Sequence, residues 1–295
     1  MDSLEEKYKA LQDILASYGT VAVAFSGGVD SCLLLYVAHL VLGDNALALT
    51  AIAPMVSTQE RNDAKNFCQR YGIKQELCEP EVMTLDGVRY NTLNRCYECK
   101  KEIFTTLLGL AHAHGIDTLV DGSNTDDLGD FRPGTRALKE LKIKSPLLEA
   151  GLSKEDIRAL SRKLGLESAD KQSNACLATR FPYGTELTSE KLLLAEKAEK
   201  ALADFGFSRL RVRIHGEIAR IEVPLEDFEH VVKDSQREKI VTALKELGFV
   251  YVTLDLSGFR SGSMNETLES VNNLAMIQAY QFRSSMNETL KGMND

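Results

Sequence analysis

Short apolar runs alternate over the first 165 residues with longer stretches in which apolar side chains recur every three or four positions. The short runs have the pattern of buried strands, and the longer stretches have that of amphipathic helices. Because strands that alternate with helices pair side by side, this pattern predicts an α/β fold with a doubly wound parallel sheet. The predicted strands are 20–25, 46–53, 74–78 and 117–120, and the predicted helices are 3–18, 32–42, 57–71, 99–114 and 153–164.

The pattern changes between residues 165 and 184, where a loop-rich segment follows the last helix. The chain beyond this segment predicts a second, smaller α/β domain. Its predicted elements are helices at 188–205 and 225–247 and strands at 209–215, 218–223 and 250–256. We therefore expect domains at 1–170 and 171–258, followed by a weakly ordered tail at 259–295 that repeats the sequence FR-S-(G)-S-M-N-E-T-L twice.

Composition and charge argue against a membrane protein and against a generic nucleic-acid-binding protein. Hydrophobic residues make up 44% of the chain and charged residues 26%, which is typical of a soluble globular protein. The longest apolar run is too short to span a bilayer and the N-terminus is acidic, so we expect a cytoplasmic protein with no membrane partner. A formal net charge of −8 argues against generic nucleic-acid binding, because phosphate backbones attract basic surfaces.

A glycine loop lies between the predicted strand 20–25 and the helix that follows it. Residues 26–31 read S-G-G-V-D-S, and such small residues allow backbone N–H groups to close around a pyrophosphate at a helix N-terminus. The loop is not of the Walker type, because no lysine follows the glycines. The predicted nucleotide-binding residues of this loop are Ser26, Gly27, Gly28, Asp30 and Ser31.

A second loop, with the sequence D-G-S-N-T-D-D, covers residues 121–127 after the predicted strand 117–120. The carboxyl ends of parallel strands meet at one edge of a sheet, so we expect this loop beside the glycine loop. Gly122 permits close approach of a ligand, and Asn124 offers an amide, which makes both residues candidate nucleotide contacts. The alternative interpretation is an ordinary turn.

Four charged side chains near these loops are further candidates. Asp30 with Asp126 or Asp127 offers carboxylate oxygens, which suit the Mg²⁺ ion that accompanies a triphosphate. Arg136 is a candidate phosphate contact, because a guanidinium binds oxyanions through two parallel hydrogen bonds. A solvated surface arginine is the competing interpretation.

Three of the six cysteines lie where thiol chemistry is expected. Cys96 and Cys99 form one C-x-x-C pair, the spacing of a redox dithiol or of half a zinc site. Cys176 lies in the predicted interdomain loop, where Lys171 and Arg180 favour the reactive thiolate, so it is the best nucleophile candidate. The remaining cysteines are interpreted as core residues: Cys32, Cys68 and Cys78.

The glycine loop resembles the PP-loop of ATP pyrophosphatases, which split ATP between the α- and β-phosphates and leave AMP on the substrate. Five motifs occur in the order found in one family of this class, the sulfur transferases that build the nickel-pincer nucleotide cofactor of lactate racemase. They are S-G-G-V-D-S, R-C-Y-E-C-K, D-G-S-N-x-D-D-L-G-D-F-R-P-G, N-A-C-L-A-T-R-F-P-Y-G and R-V-R-I-H-G-E-I-A-R-I-E-V.

This resemblance implies an enzyme that uses ATP and Mg²⁺ to adenylate a carboxylate of pyridinium-3,5-biscarboxylic acid mononucleotide and then replaces AMP with sulfur. Family members with a C-x-x-C and a later cysteine hold a 4Fe–4S cluster on three thiolates, which implies cluster ligation by Cys96, Cys99 and Cys176. In the alternative, sacrificial form, Cys176 attacks the adenylate and becomes dehydroalanine, while Cys96 and Cys99 are structural. Thiolate is the strongest side-chain nucleophile available for that attack.

The second domain offers two arginines for the substrate. Arg211 and Arg213 alternate with a valine on a predicted strand and therefore project to one face. The resemblance implies that they bind the substrate phosphate; the alternative is two solvated arginines. Glu199 and Glu222 are weaker candidates for a metal or substrate site. We expect a small-molecule nucleotide as the substrate, no nucleic-acid partner and a homo-oligomer.

Three other functions remain open from the sequence. An ammonia-using synthase of the NAD or GMP type has a similar loop, although such an enzyme does not require three cysteines. A transfer-RNA thiolase also combines a PP-loop with cysteines, although it is expected to carry a basic RNA-binding region. An ATP-sensing protein with a structural metal is the non-enzymatic alternative.

Overall fold

The computed structural model describes residues 3–129, 133–172 and 175–260. These residues form two compact units. Unit 1 contains the described residues up to 178 together with 183–196, and unit 2 contains 179–182 together with 197–260. Within the described ranges, no helix is long and apolar enough to cross a membrane.

Unit 1 is an α/β unit around a four-stranded sheet in the order β3-β2-β1-β4. All three pairings are parallel, with Val21 opposite Ala46, Ala22 opposite Leu119 and Ala48 opposite Gln75. The strands are β1 (Val21–Ala24), β2 (Ala46–Ala51), β3 (Gln75–Cys78) and β4 (Leu119–Val120). The helices are α1 (Leu4–Tyr18), α2 (Val29–Leu42), α3 (Thr58–Tyr71), α4 (Asp86–Arg89), α5 (Arg95–Ala113), α6 (Pro133–Glu140), α7 (Pro146–Glu149) and α8 (Lys154–Lys163).

The alternation of side chains along β1 explains why helices cover both faces of the sheet. Val21 and Val23 belong to one core cluster, which includes residues of α1, α2 and α8, whereas Ala22 belongs to a second cluster with residues of α5. Successive strand residues point to opposite faces, so a strand buried on both sides reads as a continuous apolar run. The predicted doubly wound parallel sheet is confirmed.

Unit 2 is built around a three-stranded sheet in the order β5-β6-β7. Helix α9 (Ser189–Asp204) leads into it, and β5 (Arg211–His215) pairs antiparallel with β6 (Ile218–Glu222). The turn between these two strands needs the positive φ of +61° at Gly216. Two helices, α10 (Phe228–Val232) and α11 (Asp234–Glu246), then lead to β7 (Tyr251–Leu254), which pairs parallel with β6.

Several predicted boundaries are wrong. The single helix predicted at 225–247 is a 3-10 turn followed by α10 and α11, because Lys233 has extended backbone with ψ of 129°. Helix α5 begins at residue 95, four residues before the predicted start, so the C-x-x-C pair lies on a helix. Helices α4, α6 and α7 were not predicted, since each is short. The tail from residue 261 onward lies outside the described residues.

Candidate functional site

The glycine loop lies at the carboxyl end of β1, the position that its sequence predicts. The hydroxyl oxygens of Ser26 and Ser31 are 3.1 Å apart, and Ser31 Oγ donates to the carbonyl of Gly28 at 3.1 Å. Gly28 caps α2 without a side chain, so no side-chain cap occupies the N–H groups of the first turn. The loop therefore presents hydroxyl and backbone donors of the kind that bind phosphate.

Close packing explains why two positions near the loop are glycine. Gly27 has a φ of +71°, and a Cβ atom there would lie 3.1 Å from atoms of Ala64 on α3. A Cβ atom on Gly122 would lie 3.1 Å from the backbone nitrogen of Ser31. Both glycines therefore allow a close backbone approach that a larger residue would disturb.

The second loop, at 121–127, follows β4 and contacts the glycine loop. The buried Asp121 carboxylate accepts hydrogen bonds from the Ser123 backbone, the Ser123 hydroxyl and the Ser145 hydroxyl. Asn124 is also buried, and its Nδ2 donates to Asp30 Oδ1 at 3.3 Å. Since β1 and β4 are neighbours, their carboxyl ends bring Asn124 and Asp30 together as the topology predicts.

The predicted Mg²⁺ ligands already have protein partners. Asp126 Oδ2 accepts from the backbone N–H of Lys154 at 3.0 Å, and Asp127 Oδ2 accepts from that of Asn124 at 3.0 Å. The Asp30 carboxylate pairs with the Lys154 ammonium. One or two carboxylates suffice for Mg²⁺, because phosphate oxygens and water complete its octahedron, so Asp30 at the loop fits this role best.

Arg136 lies on α6 and contacts a different set of residues. Its Nε donates to Glu140 Oε1 at 2.8 Å, and its guanidinium lies 4.6 Å from the centre of the Tyr97 ring. Hydrogen bonds from Tyr97, Arg136 and Lys101 lower the pKa of Glu140 to about 2. These contacts of Arg136 connect α6 with α5.

Two lysines that sequence reasoning did not assign to the nucleotide site reach the glycine loop. Lys154, at the start of α8, pairs with Asp30, and Lys171 Nζ lies 2.9 Å from the Gly27 carbonyl oxygen. Lys171 also pairs with Asp63 at 2.6 Å. More than 120 residues separate each lysine from the loop, so no local spacing could have indicated these contacts.

The three predicted sulfur residues are neighbours within unit 1. Cys96 and Cys99 lie in the first turns of α5. Cys176 lies near the start of the described segment 175–260. Burial above all, and then the neighbouring Cys176 and Cys96, raise the pKa of Cys99 to about 12, whereas Arg95 opposes the shift. Cys96 and Cys176 are exposed. Tertiary structure thus brings together thiols that are 77 residues apart along the chain.

Arg95, a residue that the sequence analysis did not assign, is a cation beside these thiols. Its side chain is 4% exposed, and Nη2 donates to Cys96 Sγ at 3.5 Å. Burial lowers the pKa of Arg95, but the neighbouring Cys96 and Cys176 outweigh burial and raise it. Arg180 pairs with Glu199 and Lys171 pairs with Asp63, and their effect on the Cys176 thiolate stays a prediction.

Buried Asn91 connects Arg95 to the cysteine segment. Arg95 Nη1 donates to Asn91 Oδ1, and Asn91 Nδ2 lies 3.4 Å from the carbonyl oxygen of Ala178. The Leu177 backbone N–H also donates to the Met55 carbonyl at 3.0 Å. These contacts fix the two residues that follow Cys176 to the rest of unit 1. Asn91 was missed because its sequence neighbours carry no motif.

Cys96, Cys99 and Cys176 are the potential ligands of an iron–sulfur cluster. Three thiols that influence one another, beside a buried guanidinium, are the ligand type that iron–sulfur clusters take. Over the part of the chain that the structure describes, no group of three or more His, Cys, Asp or Glu side chains is already arranged to hold a metal ion. The three thiols therefore have the chemistry of cluster ligands, but their side chains are not arranged around a common metal position.

Unit 2 contains a cluster of arginines and carboxylates. Arg180 and Glu199 share two hydrogen bonds of 2.8 Å. Arg213 and Glu222 share two of 3.1 Å, and Arg220 donates to the same Glu222 at 3.0 Å. Arg213 is 7% exposed and Glu222 is fully buried, so the interpretation of Arg213 as a solvated surface arginine is wrong.

Arg211 differs from its neighbours in this cluster. Burial lowers its pKa to about 10; Arg180 and Arg213 contribute to the lowering, and Glu199 and Glu222 oppose it. Its guanidinium donates to the Leu210 carbonyl and lies 5.1 Å from the centre of the Phe259 ring. No carboxylate among the described residues forms an ion pair with Arg211 at 4 Å or less. Arg211 therefore has charge available for an anion.

Fold and loop together define the class of protein. A parallel sheet whose central strand ends in S-G-G-V-D-S is the arrangement of PP-loop ATP pyrophosphatases, which are ATP-using enzymes. The NAD synthase family model matches residues 3–90, the part that contains this loop. A tRNA-specific 2-thiouridylase from Rickettsia africae is 27% identical over 52% of this chain and 52% of its own.

Two relatives match almost the whole chain. An uncharacterised protein from Synechocystis is 43% identical over 90% of this chain and 99% of its own. The pyridinium-3,5-bisthiocarboxylic acid mononucleotide synthase of Lactiplantibacillus plantarum is 38% identical over 91% of this chain and 97% of its own. The chain belongs to the family of this synthase.

Proposed function

We propose that this enzyme is an ATP-dependent sulfur transferase of nickel-pincer nucleotide biosynthesis. It adenylates a carboxylate of pyridinium-3,5-biscarboxylic acid mononucleotide and converts it to a thiocarboxylate. The observation that carries the proposal is the presence, in one compact unit, of a pyrophosphate-type loop and three neighbouring thiols. The 38% identity to a synthase named for the bisthiocarboxylic product supports the choice of substrate.

In the first half-reaction, a substrate carboxylate oxygen attacks the α-phosphorus of ATP, and pyrophosphate leaves. The backbone donors and hydroxyls of Ser26, Gly27, Gly28 and Ser31 bind the leaving pyrophosphate, and they stabilise the charge that develops on it. Asp30, with Asp126 or Asp127, binds Mg²⁺. Gly122 and Asn124 contact the nucleotide, and Arg136 stays a predicted contact although its present partners are on α5 and α6.

In unit 2, Arg211 and Arg213 bind the phosphate of the substrate mononucleotide. Arg211, which forms no ion pair at 4 Å or less among the described residues, supplies positive charge, and Arg213 is oriented by its two hydrogen bonds to Glu222. Glu199 performs the same orienting role for Arg180. A guanidinium held in this way loses little side-chain entropy when it binds an oxyanion.

In the second half-reaction, sulfur replaces AMP. Cys96, Cys99 and Cys176 would hold a 4Fe–4S cluster, which when bound supplies an activated sulfide. Arg95 balances the negative charge of the thiolates and, through Asn91, orients the segment that carries Cys176. In this form the three cysteines survive each turnover.

Cys176 can itself be the source of sulfur in the alternative route, because its exposed thiol is accessible to a substrate. The Cys176 thiolate attacks the acyl carbon and expels AMP, which gives a thioester. Elimination then breaks the bond between Cβ and Sγ, with a proton lost from Cα, and leaves a thiocarboxylate and a dehydroalanine. Atoms balance, because the protein loses the elements of hydrogen sulfide.

The substrate is tested by pyrophosphate release. Purified enzyme with ATP and Mg²⁺ is given the pyridinium substrate, ammonia with a carboxylate acceptor, or unmodified transfer RNA. We expect release with the pyridinium substrate alone. Release that depends on transfer RNA would instead make the enzyme a thiolase like its 27% identical relatives, and release that depends on ammonia would indicate an amide-forming synthase.

The sulfur source is tested by iron and acid-labile sulfide analysis of protein purified without oxygen. About four irons per chain, lost in Cys96→Ala, are expected for the cluster form. Absence of iron after reconstitution, with loss of the mass of hydrogen sulfide from Cys176 after one turnover, would assign the sacrificial form. Full thiolation by Cys176→Ala without cluster or added sulfide would contradict both.

A further inference from the structure

The glycine loop has no lysine in its own sequence, yet an ammonium group reaches it from a distant part of the chain. Lys171 Nζ donates to the Gly27 carbonyl oxygen at 2.9 Å and to Asp63 Oδ2 at 2.6 Å. All these residues belong to unit 1. The contact falls on the Gly27–Gly28 peptide unit, in which both residues are glycine.

The carbonyl that Lys171 binds controls the direction of a neighbouring N–H group. In a trans peptide unit the C=O of one residue and the N–H of the next point in opposite directions. The C=O of Gly27 therefore points to Lys171, while the N–H of Gly28 points to the other side, where it donates a long hydrogen bond to Ser26 Oγ at 3.4 Å. Ser26 is part of the predicted pyrophosphate cradle, so the Gly28 N–H faces into it.

Among the described residues, no second charged donor binds this peptide unit, and its other hydrogen bond is the neutral one to Ser26 Oγ. Both of its residues are glycine, and Gly27 has a φ of +71°, so no Cβ atom opposes rotation of the unit. A hydrogen bond to a charged donor is stronger than one between neutral groups. It also polarises the peptide, which makes the Gly28 N–H a better donor on the opposite side.

Lys171 is itself held from several directions. Asp63 pairs with its ammonium, and Asp63 directly precedes Ala64, whose atoms pack against Gly27. Arg158 donates through Nη2 to the Lys171 carbonyl at 2.9 Å and through Nη1 to the Ala169 carbonyl at 2.5 Å. The ammonium therefore approaches the loop from the side of α3 and α8, with its backbone fixed.

We propose that Lys171 is a positioning residue that fixes the Gly27–Gly28 peptide with the Gly28 N–H directed at the pyrophosphate of ATP. The inference rests on the proposed function only in taking the glycine loop as the pyrophosphate site. It does not depend on which substrate is adenylated or on the source of sulfur.

The test is the binding of inorganic pyrophosphate by calorimetry to the full chain and to Lys171→Met. Affinity is expected to fall by about ten- to a hundredfold, the effect of losing a hydrogen bond to a charged group. AMP, which lacks the β- and γ-phosphates, is expected to bind almost as well as before. Lys171→Arg retains a charged donor and should restore most of the affinity, and Lys163→Met, which removes an exposed ion pair with Glu5, is the matched control.

A second measurement separates positioning from direct contact with phosphate. In ligand-free enzyme carrying ¹³C-labelled glycine, the Gly27 carbonyl resonance should shift in Lys171→Met and stay in place in Lys163→Met. An unshifted resonance, or unchanged pyrophosphate affinity, would overturn the proposal. Equal losses of pyrophosphate and AMP binding would also overturn it, since they would indicate general damage to the fold. Because neither measurement uses the pyridinium substrate, failure of the sulfur-transfer proposal would leave both results interpretable.

Discussion

Two regions of this protein have the chemistry of anion sites, and they are built in opposite ways. The glycine loop of unit 1 offers backbone N–H groups and two hydroxyls, all of them uncharged. The arginine cluster of unit 2 offers guanidinium groups, most of whose charge is already compensated by Glu199 and Glu222. The loop depends on backbone geometry, whereas the cluster depends on charge balance.

The difference follows from the free energy of burying charge. Neutral donors can be held at a loop with little desolvation cost, but they bind an anion only if the backbone directs them at one point. A buried guanidinium needs a carboxylate, because an unpaired buried charge is strongly destabilising. Substitutions in the loop should therefore reduce binding, and substitutions in the cluster should first reduce stability.

The largest effect is expected from Glu222→Ala. Glu222 is fully buried and accepts hydrogen bonds from Arg213 and Arg220, so its removal takes a buried carboxylate from both cations, although Arg220 keeps Asp255 at 3.5 Å. The free energy of unfolding should fall by about 3–5 kcal/mol, as for other broken buried pairs. Urea unfolding measures this, with the exposed Glu226→Ala as the control. A change under 1 kcal/mol, roughly that of a surface pair, would show that charge balance does not hold this cluster.

A smaller effect, and one on binding, is expected from Gly27→Ala. The new Cβ atom meets Ala64 at 3.1 Å, so the loop must shift, and the affinity for pyrophosphate should fall by about tenfold or more. Gly19→Ala is the matched control: Gly19 has nearly the same φ, +70°, but nothing lies within 4 Å of its added Cβ. Both variants place a Cβ atom at a positive φ and therefore carry backbone strain. Equal pyrophosphate affinities in the two variants would remove the geometric argument for the loop.

Arg211→Met tests whether the arginine cluster of unit 2 binds the substrate, as distinct from stabilising the fold. Arg211 has no ion-pair partner within the described chain, so its loss should leave stability nearly unchanged. The KM for the pyridinium mononucleotide should rise by about tenfold, the effect of losing one charged hydrogen bond, while the KM for ATP is unaffected. Arg237→Met, in an exposed pair with Asp234, serves as the control in steady-state kinetics. A rise in the KM for ATP instead would contradict a role in substrate binding.

The smallest effect concerns the thiols buried behind the glycine loop. Burial raises the pKa of Cys32 and of Cys68 from 9.0 to about 12. In the unfolded chain these thiols lose their protons near pH 9, whereas in the folded protein they keep them up to about pH 12. Their contribution to stability is therefore complete below pH 9 and is lost as pH rises through 12.

Urea unfolding at pH 9 and pH 10 measures this contribution. Each thiol should lower the free energy of unfolding by about 1 kcal/mol over that unit of pH. Cys68→Ala should lose its share of the slope, whatever its effect on stability at pH 7. An identical slope in wild type and Cys68→Ala would show that the thiol is not held neutral.

Local pattern was sufficient for much of unit 1. The glycine loop, its strand and its helix are contiguous, so residues 21–42 carry the information for the fold of that segment. Apolar periodicity located β1 to β4 and the long helices, because burial on both faces of the sheet leaves a continuous apolar strand. It missed α4, α6 and α7, since helices of four to eight residues show too few periods.

Residue spacing alone determined that this chain carries a phosphate loop and three candidate thiols. Only the tertiary structure decided which distant side chains accompany them: Asn91 against the chain after Cys176, and Lys171 on the Gly27 carbonyl. The physical reason is range. A turn, a cap or a helix depends on neighbours along the chain, whereas Lys171 is placed by packing and by hydrogen-bond partners that lie 108 and 144 residues away.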